Sequence, residues 1–226
     1  LQAYGLSPGC FVPHRSGEGY GLSDGGVARC LRENPTVSLL ISVDCGTVSN
    51  DAIDGLAKKG IETVVVDHHE MGTVGRPNCV ALVNPKSVED KRQYLCAAGV
   101  VFKLAHALLK QRPLPGFDLK QVLDLVAVAT ISDIVPLVDE NRLLVRHGLR
   151  LLEKTHRPGL QALLKLTGVM GRLSSADIGF RIGPRLNAAG RMDQPEQALA
   201  VLTTESQSEA IQLADDLEEF NRVRQQ

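Results

Sequence analysis

The sequence predicts an α/β fold, a parallel sheet flanked by helices and followed by a mostly helical segment. Three observations carry this. Two short apolar runs rich in strand formers, Ser38 to Asp44 and Thr63 to Asp67, each end on a carboxylate. Between them Ala52, Ile53, Leu56 and Ala57 recur at helical spacing, and from about Ala97 onward the apolar period is that of helices. Finally, 226 residues with 43% hydrophobic content can bury a real core, which argues against disorder.

The first run, Leu39-Leu40-Ile41-Ser42-Val43, reads as a strand covered on both faces, and Lys58-Lys59-Gly60 as the stop of the helix that follows it. Thr63-Val64-Val65-Val66 is the next strand. A crossover this long between two strands implies a right-handed parallel unit. Val80-Ala81-Leu82-Val83 reads as a third strand closed by Asn84-Pro85. Val100, Val101, Leu104, Ala105, Leu108 and Leu109 then mark one helical face, while Val122 to Ile131 is apolar nearly all round, the pattern of a deeply buried helix. After Pro136, shorter helices are expected over 143–152, 160–166, 178–182 and 198–202, and Leu213, Leu217, Phe220 and Val223 stripe a last one. The expected division is an α/β core over 1–136, a helical part over 137–205 and a connector helix from 206 to 226.

With 25 Lys+Arg against 26 Asp+Glu, the net charge of -1 advertises neither nucleic acid nor a basic partner, so any binding signal must be local. It is found between Lys154 and Met192, where seven basic residues face the single acid Asp177, while Asp193 to Glu219 carries acids alone. A polyanion groove and a solvated face with acids nearby both fit this pattern. No apolar run is long enough for a membrane span, so no membrane is expected. Cys10, Cys30, Cys45, Cys79 and Cys96 are odd in number and widely spaced, which fits a reducing cytoplasm better than a disulfide framework.

In open parallel sheets, ligands gather where the strands end, because loops and helix N-termini converge there. Asp44 and Asp67 both stand at such ends, and Asp67 is followed by His68 and His69. Carboxylates and imidazoles together suit Mn²⁺, Mg²⁺ or Zn²⁺ better than a soft metal. Asp133 follows the apolar helix, where an ionised group is costly without a metal or a donor; a cap and a paired core carboxylate are the plainer alternatives. Arg185 and Arg191, flanking Asn187, suit contacts to phosphates. His14 and Arg15 form a basic pair that could be merely solvated, and Tyr20 reads as a packed aromatic at a turn or as a base-stacking ring.

These segments resemble a known family. Val43-Asp44-Cys45-Gly46, Val66-Asp67-His68-His69 and Ile131-Ser132-Asp133-Ile134-Val135-Pro136-Leu137 are similar to the second, third and fourth motifs of the DHH phosphoesterases. Glu18 to Leu22, Ala98 to Leu104 and Gly183 to Met192 resemble the RecJ branch, single-strand-specific 5′→3′ DNA exonucleases. The resemblance implies a Rossmann-like DHH domain that hydrolyses phosphodiester bonds with two divalent ions, Mn²⁺ or Mg²⁺. It implies metal ligation by Asp44, His68 and Asp133, catalytic roles for Asp67 and His69, and strand phosphates held by Arg185, Asn187, Arg191, His14 and Arg15. Single-stranded DNA is then the expected partner, beside repair or recombination proteins. A family relative acting on short oligonucleotides or small phosphoesters, and a non-catalytic nucleic-acid-binding fragment, are the competing readings. A nucleotide-binding Rossmann enzyme is disfavoured because no GxGxxG follows a strand.

By the resemblance, the family's aspartate-rich first motif is expected before Leu1, and its Gly-Gly-His and oligonucleotide-fold domains are expected outside these 226 residues. The 226-residue chain is therefore expected to bind Mn²⁺ weakly and to show little or no exonuclease activity. Processive digestion of 5′-phosphorylated single-stranded DNA by this chain contradicts that expectation.

Overall fold

The computed structural model describes residues 1–88, 94–169 and 171–225, which fall into two compact units. The first contains 1–13 and 17–119; the second contains 14–16 and 120–226.

The first unit is built on a three-stranded parallel sheet in the order β1 (Leu39–Val43), β2 (Glu62–Val66) and β3 (Ala81–Val83). Leu39 pairs with Glu62 and Val43 with Val66, while Val64 to Val66 pair with Ala81 to Val83. The ladder continues past the strands: the Asp44 N–H donates to the Val66 carbonyl and the Asp67 N–H to that of Val83, both at 3.0 Å. That register sets the two strand-end carboxylates side by side.

The four-residue α1 (Arg15–Glu18) has residues in both units. Helices α2 (Asp24–Glu33) and α3 (Asn50–Ala57) cover one face of the sheet. Ser23 caps α2 by accepting from the Gly26 N–H. Val27, Ala52, Leu56 and Ile61 form the core there, with Leu40 packed against them. On the other face of β1, Leu39, Ile41 and Val43 remain exposed. The sequence suggested cover on both faces; a continuous apolar run on an edge strand carries no mark of which face is packed. Helix α4 (Ala97–Gln111) buries only its first turn, at Ala97, Gly99 and Val100.

The second unit is helical throughout. Its centre is α5 (Leu123–Ser132), buried almost all round as its sequence predicts, against α6 (Asp139–Leu152). Their crossing is close at Gly148, where an added Cβ would lie 2.1 Å from the Leu123 carbonyl oxygen. Around them stand α7 (Pro158–Leu166), α8 (Ser175–Asp177) leading into a π-helical turn (Ile178–Ile182), α9 (Gly183–Arg191), α10 (Pro195–Thr203) and α11 (Gln207–Gln225). Leu152, Leu160, Leu163, Ile178, Val201 and Leu217 are among the residues of the shared core. One carboxylate lies inside it: Asp124 accepts from Thr155 Oγ1 at 2.9 Å and from Arg157 Nε at 3.2 Å, so its charge is paired as burial requires.

Because a Cβ at Gly148 meets backbone rather than a yielding side chain, Gly148→Ala is expected to cost about 2 kcal/mol of stability, as overpacking does. Chemical denaturation of the two proteins measures it; equal midpoints contradict the close crossing.

Candidate metal centre

The site begins with two backbone devices after β1. Asp44 adopts φ 65°, a left-handed conformation that Asp tolerates better than most residues, which turns its exposed side chain out of the strand direction. Gly46 follows at φ 111°, and a Cβ there would lie 2.9 Å from Ser42 Oγ and 3.1 Å from Val65. Only glycine fits. This turn delivers the Thr47 N–H to the end of β2.

There it meets Asp67, whose side chain is only 1% exposed. One carboxylate oxygen accepts from the Thr47 N–H at 3.0 Å. The other accepts from the backbone N–H groups of His68 at 2.8 Å and His69 at 3.2 Å, and from His69 Nδ1 at 2.7 Å. Burial disfavours the charge, yet the bonds from the Thr47 side chain, His69, and the Thr47 and His68 backbones outweigh it and hold the Asp67 carboxyl down at about 2. Asp67 is therefore an organising carboxylate with both oxygens occupied by protein donors. Asn84, buried at the end of β3, closes the network from the third strand: its amide donates to Thr47 Oγ1 and to the His69 carbonyl oxygen, both at 2.9 Å.

What this network orients is a cluster of side chains able to hold a metal ion. The Asp67 carboxylate can only accept, so His69 Nδ1 is the donor in that bond and Nε2 is the ring nitrogen left for another partner. His68 Nε2 stands 3.2 Å from Asp44 Oδ1, and the two imidazole rings lie 4.7 Å apart. Asp44, His68 and His69 each offer one ligand atom within 4.8 Å of the others, the one such cluster among the described residues. One carboxylate and two imidazoles fit a divalent ion from the Mn²⁺, Mg²⁺ or Zn²⁺ set that the residue types suggested. Cys45, next in the chain, is outside this cluster, and burial pushes its thiol up.

The remaining expected site residues belong to the second unit. Asp133 ends α5 and is exposed, not enclosed by apolar neighbours as its flanking sequence suggested, because Ile134 beside it also turns outward. The 183–192 segment is a helix, α9, and that decides where its polar groups point. Asn187 and Arg191, four apart, line one cavity. Arg185 is turned elsewhere: its Nη1 donates to the Arg181 carbonyl oxygen at 2.6 Å and its Nε pairs with Glu218. His14 is held by carboxylates and carbonyls, with Nε2 2.9 Å from Glu196 Oε1 and Nδ1 3.2 Å from the Asp193 carbonyl oxygen. The Arg15 guanidinium lies over Gly190, with Nε 3.9 Å from where a Cβ would be. In the first unit, the Tyr20 ring is exposed rather than packed.

The fold and the side-chain cluster define a parallel α/β domain with a candidate oxygen-and-imidazole metal centre at its strand ends. Residues 3–130 match the DHH family, N-terminal domain, and the chain belongs to the DHH family. It is 38% identical over 228 residues to the single-stranded-DNA-specific exonuclease RecJ of Bacillus subtilis, covering 100% of this chain and 28% of that protein. The RecJ of Escherichia coli is 34% identical, with 95% of this chain and 39% of that protein covered. Among solved structures, exonuclease RecJ bound to manganese is similar with a TM-score of 0.85 and 36% identity, over 95% of this chain and 54% of that one. RecJ from Thermus thermophilus in complex with Mn²⁺ gives 0.78 and 34%, over 88% and 30%. The chain thus spans about a third of the length of such curated relatives, between 28% and 39%.

The Asp67 network has a pH signature. A folded-state carboxyl at about 2 against an ordinary 3.8 contributes stability that is fully present above its unfolded value and is lost as pH falls toward 2. Asp67→Asn is expected to cost about 2 kcal/mol at neutral pH, a difference that narrows as pH falls below about 4. Denaturant titrations along that range test it, and a pH-independent difference contradicts the charged network.

Proposed function

We propose that this chain is the metal-binding core, with part of the strand-binding surface, of a single-stranded-DNA-specific 5′→3′ exonuclease that hydrolyses phosphodiester bonds. The observation that carries this is the convergence of Asp44, His68 and His69 at the strand ends, organised by the buried Asp67. Its support is the similarity to RecJ proteins, whose solved structures hold Mn²⁺ or Mg²⁺.

Asp44 and His68 would hold divalent metal, with Asp133 a further ligand by family resemblance. Two such ions, when bound, supply an activated water and neutralise the leaving oxygen of an in-line displacement, so no covalent nucleophile is needed. Asp67 keeps the His69 ring oriented through Nδ1, which leaves Nε2 to meet the scissile phosphate. Arg191 and Asn187 serve strand phosphates, and Arg15, beside Gly190, extends that basic surface. Arg185 and His14 reach a phosphate only by exchanging their present carboxylate partners. Such an enzyme acts in DNA repair and recombination, beside proteins of those processes. None of the five cysteines is in a disulfide, as suits a cytoplasmic protein, and no described helix is long and apolar enough to cross a membrane.

Calorimetric titration with Mn²⁺ tests the ligand set: His68→Ala and Asp44→Ala should each abolish the binding heat of the unsubstituted chain. In the full-length parent, Asp133→Ala should abolish Mn²⁺-dependent digestion of single strands while the circular dichroism spectrum is retained. Unchanged Mn²⁺ affinity, or unchanged turnover in a folded Asp133→Ala enzyme, contradicts the assignment.

A further inference from the structure

The residue after Asp133 is held at a cost. Ile134 has φ 58°, where a β-branched side chain is strained, and it is 89% exposed, so no burial compensates. A second large apolar side chain is equally displayed. Phe180, 83% exposed, sits in the π-helical turn Ile178–Ile182, a backbone distortion often found at functional positions. Both line one cavity of about 520 Å³ in the second unit, together with Val135, Leu137, Asn187 and Arg191. The ionisable residues lining it are Arg191 and Arg224, and no carboxylate is among its described walls.

We propose that this cavity is a nucleobase subsite, in which one base of a single strand stacks on Phe180 against Ile134 while Arg191 takes the neighbouring phosphate. The inference rests on the nucleic-acid reading given above and adds to it a base-contacting element that the metal centre lacks. The choice of occupant follows from the wall chemistry. Apolar walls alone would accept any apolar group, but an open aromatic face beside two guanidinium groups and a carboxamide matches the two halves of a nucleotide. The largest exposed apolar feature is a ring face, and every base has one, so the subsite grips bases with little regard to sequence.

Fluorescence anisotropy with the 226-residue chain tests this, using a labelled oligothymidylate and an abasic strand of equal length and charge. The unsubstituted chain should bind the base-bearing strand about tenfold more tightly, in line with base–aromatic stacking. Phe180→Ala should erase that preference and Phe180→Tyr should keep it, whereas Arg191→Ala should weaken both strands alike. Ile134→Gly should reduce the preference without lowering the thermal midpoint, since it relieves the positive φ and removes no buried contact. A base preference that persists in Phe180→Ala overturns the subsite and leaves the nucleic-acid reading intact. Unaltered strand binding in Phe180→Ala, with loss of a concentration-dependent self-association, overturns it in favour of a protein contact. If the unsubstituted chain binds neither strand at low salt, the nucleic-acid reading falls and the subsite with it.

Discussion

The buried carboxylate of Asp67 accepts hydrogen bonds from the loops that follow β1 and β2, and the geometry of the candidate metal centre follows from that. A charge with 1% exposure is tolerable only when donors surround it, and here the donors are the loops that must be positioned. Thr47 comes from the turn after β1, His68 and His69 follow β2, and Asn84 braces Thr47 and the His69 carbonyl from the end of β3. The electrostatic demand of one residue thus converts the parallel register of three strands into a fixed ligand arrangement. His68 is held through its own N–H to Asp67, while Asp44 is placed by the ladder bond from its N–H to the Val66 carbonyl, and the two side chains meet at 3.2 Å.

The second unit solves a related problem with opposite charges. Its sequence carries a run of basic residues followed by acids, and part of that surplus is spent internally. Arg157 neutralises buried Asp124, and Arg185 pairs with Glu218 of α11. Arg191, farther along α9 than Arg185, instead lines a cavity with Asn187. Helical geometry, rather than composition, separates the arginine used for structure from the one available to a ligand.

Much of this was legible in the sequence. The strand runs, the carboxylates that end them and the Asp67-His68-His69 triplet mark the sheet and the candidate metal centre, because buried strands and polar strand ends have compositional signatures. Thr47, Asn84 and Asp124 were not legible as key residues. Their importance lies in partners 20, 37 and 31 positions away, which no local pattern encodes. The exposed face of β1, the surface position of Asp133 and the helical form of 183–191 were likewise decided by packing that local pattern does not specify.

The central claim, that Asp67 creates the metal site without ligating metal, is tested most directly by anomalous scattering from Mn²⁺-soaked crystals of the unsubstituted chain and of Asp67→Asn. The account predicts a manganese peak bonded to Asp44 and His68 in the first, and its loss or strong weakening in the second, with the His69 ring displaced. A peak of undiminished occupancy at the same position in Asp67→Asn, or one bonded directly to Asp67 in the unsubstituted protein, would contradict it.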